Sequence, residues 1–295
     1  MARAVRAADG GAERGPDDAP AGTIGPMPAR IPRVTKTEAI VLRHRRLGDA
    51  DRIVTLLTPG RGKIDVVAKG ALRARSRMAG HLEPLTRTEV VLAHGRSMDI
   101  VTQAHTLDAF VTLRADLDRL SSAMYLVEVA DRLTFEDVDA GVAYGLLHVA
   151  LTRLSRGDGL QLTTRVFELA LLDASGFRPE WGQCVACGDA VPADRAAWSA
   201  TAGGVVCERC RGGAGGAAPI DARVLRVLRA YQSLPYEEAA RIRLDAELAA
   251  RLEQVMHEVM HHVVERELKS ARFVAAARRA GASAATIADA AGERG

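Results

Sequence analysis

The stretch Gly48-Asp49-Ala50-Asp51-Arg52-Ile53-Val54-Thr55-Leu56-Leu57-Thr58-Pro59-Gly60-Arg61-Gly62-Lys63-Ile64-Asp65-Val66-Val67-Ala68 decides the fold. It holds two runs rich in β-branched residues, Asp51–Thr58 and Lys63–Ala68. Pro59-Gly60-Arg61-Gly62 separates them, and Leu47-Gly48-Asp49 precedes the first; both are turn signals. Working outward, Glu38–Leu42, Thr88–Leu92 and Asp99–Thr102 have the same character. Five short strands in about 75 residues predict a small barrel or sandwich.

After Thr112 the apolar period changes. Leu113, Leu117, Leu120, Met124 and Val127 recur at helical spacing, and similar stripes run through Leu146–Leu154 and Val166–Leu172. A cysteine-bearing insert occupies residues 181–213, and helices resume near Asp221. A last long helix presents Leu248, Leu252, Val255, Val259 and Val263 on one face. The Ala/Gly-rich tail after Ala280 is expected to fray.

The 295 residues are 48% hydrophobic, enough for two domains or three small ones with a sizeable core. No apolar run approaches the roughly 18–20 residues that cross a bilayer. The first thirty residues lack the apolar centre of a secretory signal, and four cysteines are too few for a disulfide scaffold. A reducing, cytoplasmic setting is expected.

The net charge of +3 is unevenly spread. Residues 36–100 hold 13 basic and 7 acidic groups, a net of +6, whereas residues 101–295 hold 22 and 26, a net of −4. The cations of the β module cluster at Arg43, Arg45 and Arg46, at Lys63 and Lys69, and at Arg73, Arg75 and Arg77. A merely solvated basic surface is the plain alternative. Such groups can instead neutralise several phosphates of a nucleic acid.

All four cysteines form one pattern: Cys184-Val185-Ala186-Cys187, then Cys207-Glu208-Arg209-Cys210 after nineteen intervening residues. Two such knuckles turn four thiolates toward one point, so one structural Zn2+ per chain is expected. Gly188 and Gly203-Gly204 are expected to let the backbone turn tightly around it.

Catalytic signatures are weak. His257-Glu258-Val259-Met260-His261 matches the H-E-x-x-H zinc-protease motif. A third ligand at the extended motif's spacing is missing, because position 264 is Val and 267 is Glu. The two histidines are expected to flank the core-facing stripe, so the zinc-hydrolase reading is a minor alternative. Gly60-Arg61-Gly62-Lys63 resembles the end of a P-loop but lacks its first glycine and its hydroxyl. No catalytic residue is assigned.

The larger strings Ala39-Ile40-Val41-Leu42, Gly48–Thr58, Gly62-Lys63, Ala68-Lys69-Gly70-Ala71, Ser76-Arg77 and His81-Leu82-Glu83-Pro84 together resemble the bacterial RecO recombination mediators. Tyr125-Leu126-Val127-Glu128, Phe167–Leu172, Gly176-Phe177-Arg178-Pro179, the cysteine knuckles and Leu268-Lys269-Ser270 with Phe273 continue the order over about residues 36–275. The resemblance implies an α+β multidomain protein: a five-stranded OB-fold barrel, then an all-α domain with an inserted four-cysteine zinc element. The expected divisions are a disordered extension 1–33, an OB-fold nucleic-acid-binding domain 34–112, a helical domain 113–180 and 214–280, a zinc element 181–213 and a frayed tail 281–295.

The resemblance further implies a non-catalytic role in DNA repair and recombination, in the RecFOR pathway. Such a protein binds single- and double-stranded DNA and anneals single strands. With RecR it helps RecA, indirectly, onto strands coated by single-strand-binding protein, whose acidic C-terminal tail the helical part, or its junction with the barrel, receives. A cytoplasmic, nucleoid-associated location is implied, with no membrane partner. The alternative is another zinc-containing nucleic-acid adaptor of transcription or RNA.

Two positions depart from the family pattern: Leu47 and Leu85 stand where an aromatic is frequent. Residues 1–109 contain no Phe, Tyr or Trp, so base stacking on aromatic rings is closed to the β module. Backbone electrostatics remain, with the side-chain planes of Arg75, His44 and His81.

Overall fold

The computed structural model describes residues 34–135 and 140–265. The expected extension 1–33, the tail 281–295 and the Leu268–Phe273 string lie outside them. Five strands, β1 (Val34–Leu47), β2 (Asp51–Thr58), β3 (Gly62–Ala68), β4 (Arg87–Ala93) and β5 (Asp99–Asp108), close into a barrel of order β1-β2-β3-β5-β4. This is the OB-type architecture. A short parallel seam, Val66↔Asp99 and Val67↔Ile100, completes the closure.

β1 extends well past the apolar run that announced it, because it serves two neighbours. Residues 34–40 pair with β4, residues 40–47 pair with β2, and the register shifts between Val41 and Arg43. β5 likewise continues past Thr102 along β4, on alternating residues that are partly exposed and carry no apolar signal.

Alternation along β1 divides its side chains between two cores. Ala39 and Val41 point into the barrel with Val54, Leu56, Ile64, Val66, Val90 and Leu92. Ile40 and Leu42 point outward and join Leu57 and Leu85 in the core of the helical module. A strand covered on both faces reads as a continuous apolar run, which Ala39–Leu42 is.

The helical module begins with α1 (Val111–Arg114) and α2 (Leu117–Leu133), followed by α3 (Gly141–Arg156) and α4 (Leu160–Ala174). α5 (Ala222–Ser233), α6 (Tyr236–Ala239) and α7 (246–265) come after the insert. The stripe from Leu113 to Val127 is not one helical face. Asp116 breaks the chain and caps α2, accepting from the Asp118 and Arg119 amides at 3.0 and 3.1 Å. This resets the phase, so that Leu117 is 77% exposed and Met124 43%, and Leu126, Val127, Ala130 and Leu133 face the core. On α7 the buried stripe runs Leu248, Leu252, Met256, Val259, Met260 and Val263, with Val255 half-buried beside it.

One buried polar cluster ties α2 to α4. The Tyr125 hydroxyl donates to Glu168 Oε1 at 2.5 Å, and Arg165 Nε lies 3.0 Å from Glu168 Oε2. Burial raises the Glu168 carboxyl from its ordinary 4.5 to about 7, against the pull of Arg165 and Tyr125. A carboxyl raised in this way takes up a proton on folding. Its contribution to stability is therefore complete below about pH 4.5 and is lost as pH rises through about 7. Glu168→Gln should abolish this titration. Compared by denaturant midpoint, the variant should gain on the wild type by at most about 3 kcal/mol between pH 4.5 and 7.5. Parallel pH profiles for the two proteins would exclude the raised carboxyl.

Candidate nucleic-acid interface and metal centre

Between β3 and β4 the chain forms a loop over residues 69–86, pinned from beneath. Ala71 and Leu82 are buried in the barrel core, and Met78 packs against it. The Gly70 amide donates to Asp51 Oδ1 at 2.7 Å, and the Leu72 amide to the Ala50 carbonyl at 2.9 Å. These bonds hold the loop against the β1–β2 turn. Gly70 has a φ of +67°, which a residue without a Cβ adopts freely.

The structure divides the eight predicted phosphate-binding cations into two groups. Arg46, Lys69, Arg73, Arg75 and Arg77 are exposed, with no acidic partner among the described residues. They lie on the pinned loop and on the adjoining end of β1. The other three are already matched to carboxylates. Arg43 Nε donates to Asp131 Oδ2 at 2.7 Å, and Arg45 Nη2 lies 3.4 Å from Asp65 Oδ2. Lys63 Nζ donates to the Asp131 carbonyl at 2.5 Å and to its Oδ1 at 3.2 Å, with its side chain only 14% exposed. The placement of Lys63 differs from the sequence expectation: it is a joint between barrel and helical module, covered by α2.

The side-chain planes offered for stacking divide similarly. Arg75 is exposed, whereas His44 is half-buried against Glu83 at 3.3 Å and His81 against Thr106 at 2.7 Å. Of the two leucines at family-aromatic positions, Leu47 is exposed on the β1–β2 turn and Leu85 is fully buried between the modules. Only a ring at position 47 could meet a base.

The second site is the insert between α4 and α5. Its strands β6 (Ala197–Ser199), β7 (Gly204–Val206) and β8 (Ala218–Pro219) form a small sheet of order β7-β6-β8. Cys184 and Cys187 occupy one tight turn, closed by the Gly188 amide on the Cys184 carbonyl at 2.8 Å. Cys207 and Cys210 occupy the other, closed by the Cys210 amide on the Cys207 carbonyl at 3.1 Å. The Val185 amide donates to the Val205 carbonyl at 3.0 Å and brings the turns together.

The four sulfurs lie within 4.8 Å of one another, and Cys187 Sγ is 3.8 Å from Cys207 Sγ. A thiolate tetrahedron with metal–sulfur bonds of about 2.3 Å has edges of about 3.8 Å, so the donor set fits a closed four-coordinate ion. Burial pushes the Cys184 thiol up. Amide donors from Cys207, Cys187 and Ala186 outweigh it and lower the thiol, whereas hydrogen bonding with the Cys207 sulfur pushes Cys210 up.

Gly204 serves close approach rather than turning. A Cβ there would lie 2.4 Å from Val185 Cγ1 and 2.8 Å from the Glu180 carbonyl oxygen. Arg229 of α5 anchors the element, donating through Nε to the Trp181 carbonyl at 2.8 Å and through Nη2 to the Val191 carbonyl at 2.7 Å. Nothing local in the sequence marked Arg229 for this part, nor Asp131 for its bridge between modules.

His257 and His261 lie on the exposed side of α7 with ring centroids 6.1 Å apart, and His261 Nε2 is 3.6 Å from Glu265. Among the described residues, the four cysteines form the one group of three or more potential ligands that converge. The H-E-x-x-H string therefore has no third protein ligand there. No helix among the described residues is long and apolar enough to cross a membrane.

A closed barrel is followed by a helical module that carries an inserted four-cysteine element, the layout of a two-module protein with an insert able to hold a metal. The barrel matches the family described as recombination protein O N terminal over residues 33–110, and the rest matches recombination protein O C terminal over residues 114–272. The chain is 40% identical to the DNA repair protein RecO of Roseiflexus sp. (strain RS-1), over 82% of this chain and 85% of that one. It is 38% identical to the DNA repair protein RecO of Desulforudis audaxviator (strain MP104C), over 81% and 95%. The chain belongs to the RecO family of DNA repair proteins.

Both tryptophans of the chain, Trp181 and Trp198, are buried in the insert with ring centroids 4.5 Å apart. Their fluorescence should therefore report whether the four cysteines hold a metal. Stripping metal with a chelator should shift emission to the red as water reaches the pair, and adding zinc should reverse it. Unchanged emission through the cycle would mean that the insert keeps its packing without an ion.

Proposed function

We propose that this protein is a non-catalytic recombination mediator that holds single-stranded DNA by its phosphates and anneals complementary strands. The observation that carries the reading is a set of cations with no acidic partner among the described residues, Arg46 at the end of β1 and Lys69, Arg73, Arg75 and Arg77 on a loop that the barrel core pins in place. A surface of this kind reads charge and spacing rather than base identity, so binding is tolerant of sequence and sensitive to salt. Duplex DNA offers the same phosphates and binds by the same means. No Phe, Tyr or Trp lies in the barrel to add stacking.

In this reading the four thiolates hold one structural Zn2+: Cys184, Cys187, Cys207 and Cys210 fill its coordination and leave no open position for water. RecR and single-strand-binding protein are the partners. The helical module receives the latter's acidic tail, RecA acts downstream, and the protein works in the cytoplasm at the nucleoid.

The test is annealing of complementary strands coated with single-strand-binding protein, with and without RecR, alongside equilibrium binding across a salt series. Annealing stimulated by the protein is expected, with affinity falling by decades between about 50 mM and 0.5 M salt. Reversing charge at Arg73, Arg75 and Arg77 together should weaken binding and flatten the single-strand salt slope by about 2. Salt-independent binding, or a triple variant that binds and anneals like the wild type, would overturn the proposal.

A further inference from the structure

Asp131 of α2 sits between two cations of the barrel. One carboxylate oxygen accepts from Arg43 Nε at 2.7 Å and the other from Lys63 Nζ at 3.2 Å. Two cations on separate strands thus share one two-oxygen monoanion, which is also what a phosphodiester offers through its non-bridging oxygens. We infer that Arg43 is a phosphate-binding cation that Asp131, itself held by Lys63, occupies in the free protein, and that a DNA phosphate takes the carboxylate's place on Arg43. The inference rests on the reading that the barrel holds DNA.

The two cations are not equivalent. Lys63 also donates to the Asp131 backbone carbonyl at 2.5 Å and is 14% exposed, so it stays with α2. Arg43 has Asp131 as its one acidic partner among the described residues and is 45% exposed. An ion pair this open to water is weakly held and can exchange partners. Arg43 also leads directly to the proposed DNA track. Along β1 it is followed by Arg45, 56% exposed and loosely paired to Asp65 at 3.4 Å, and then by the unpartnered Arg46. Swinging Arg43 out requires no separation of the modules, which share an apolar core beneath it. Asp131 therefore acts as an internal competitor that lowers affinity for weakly charged or isolated phosphates.

The experiment is equilibrium binding of a labelled single-stranded oligonucleotide to the full chain across a salt series. Asp131→Asn keeps the shape and the acceptor oxygen but removes the competing charge. It should raise affinity about fivefold near 50 mM salt and steepen the salt slope by about 0.7, the increment for one added single-strand phosphate, so that the gain vanishes near 0.5 M. Arg43→Gln should erase the gain when combined with Asp131→Asn. Should Asp131→Asn fail to fold, with Lys63 left covered and unneutralised, the double variant Lys63→Gln with Asp131→Asn removes both charges and should show the same gain. Wild-type affinity and slope in the folded Asp131 variants, or a gain that survives Arg43→Gln, would overturn the inference. A wild-type protein lacking salt-sensitive binding would defeat the underlying reading instead, and would do so before any variant is compared.

Discussion

The architecture depends on four residues of one strand, Ala39-Ile40-Val41-Leu42, excluded from water on both faces. Each fully buried aliphatic side chain is worth roughly 1.5–3 kcal/mol, and here the gain is divided between two modules. Ala39 and Val41 fill the barrel, whereas Ile40 and Leu42 fill the helical core together with Leu57 and Leu85. The modules are therefore not beads on a linker. Removing the helices would expose Ile40 and Leu42 of β1 and Leu57 of β2. Ion pairs rim this apolar junction. Asp131 meets Arg43 and Lys63, and Glu38 accepts from Arg87 at 2.7 Å and from the Tyr144 hydroxyl at 3.0 Å. The Arg87 guanidinium holds the Glu38 carboxyl below its usual range, so it stays ionised.

The same logic governs the insert. Its small sheet cannot form a core of its own, so it borrows one. Trp181, Trp198, Val205 and Val206 join the cluster that contains Leu225 and Leu228 of α5. Arg229 fixes the edge by satisfying two carbonyls, and Gly204 lets β7 lie against residue 180. The four thiols form the far end of a structure whose near end is ordinary protein interior.

Much of this was legible in the chain, for identifiable reasons. The five strands were readable because turns at Gly48 and Pro59–Gly62 punctuate β-branched runs, and the cysteine site because its spacing is local. What escaped were features set by partners distant in sequence. Arg43 and Lys63 read as free cations in the sequence, whereas Asp131, 88 and 68 residues away, claims both. The stripe from Leu113 to Val127 reads as one face, whereas the Asp116 cap resets its phase. Met256 hides beside Val255 because a rotation of one residue decides which of them is buried.

The loop over residues 69–86 keeps its anchors and its charges on different residues. Ala71, Met78 and Leu82 hold it to the barrel, while Lys69, Arg73, Arg75 and Arg77 pair with no charged group among the described residues. Surface exchanges of this kind barely alter folding free energy. Over evolutionary time a lineage can thus add or remove basic residues here almost silently with respect to folding. If the loop holds DNA as proposed, its grip can be retuned at these positions on a scaffold that need not change to accommodate it.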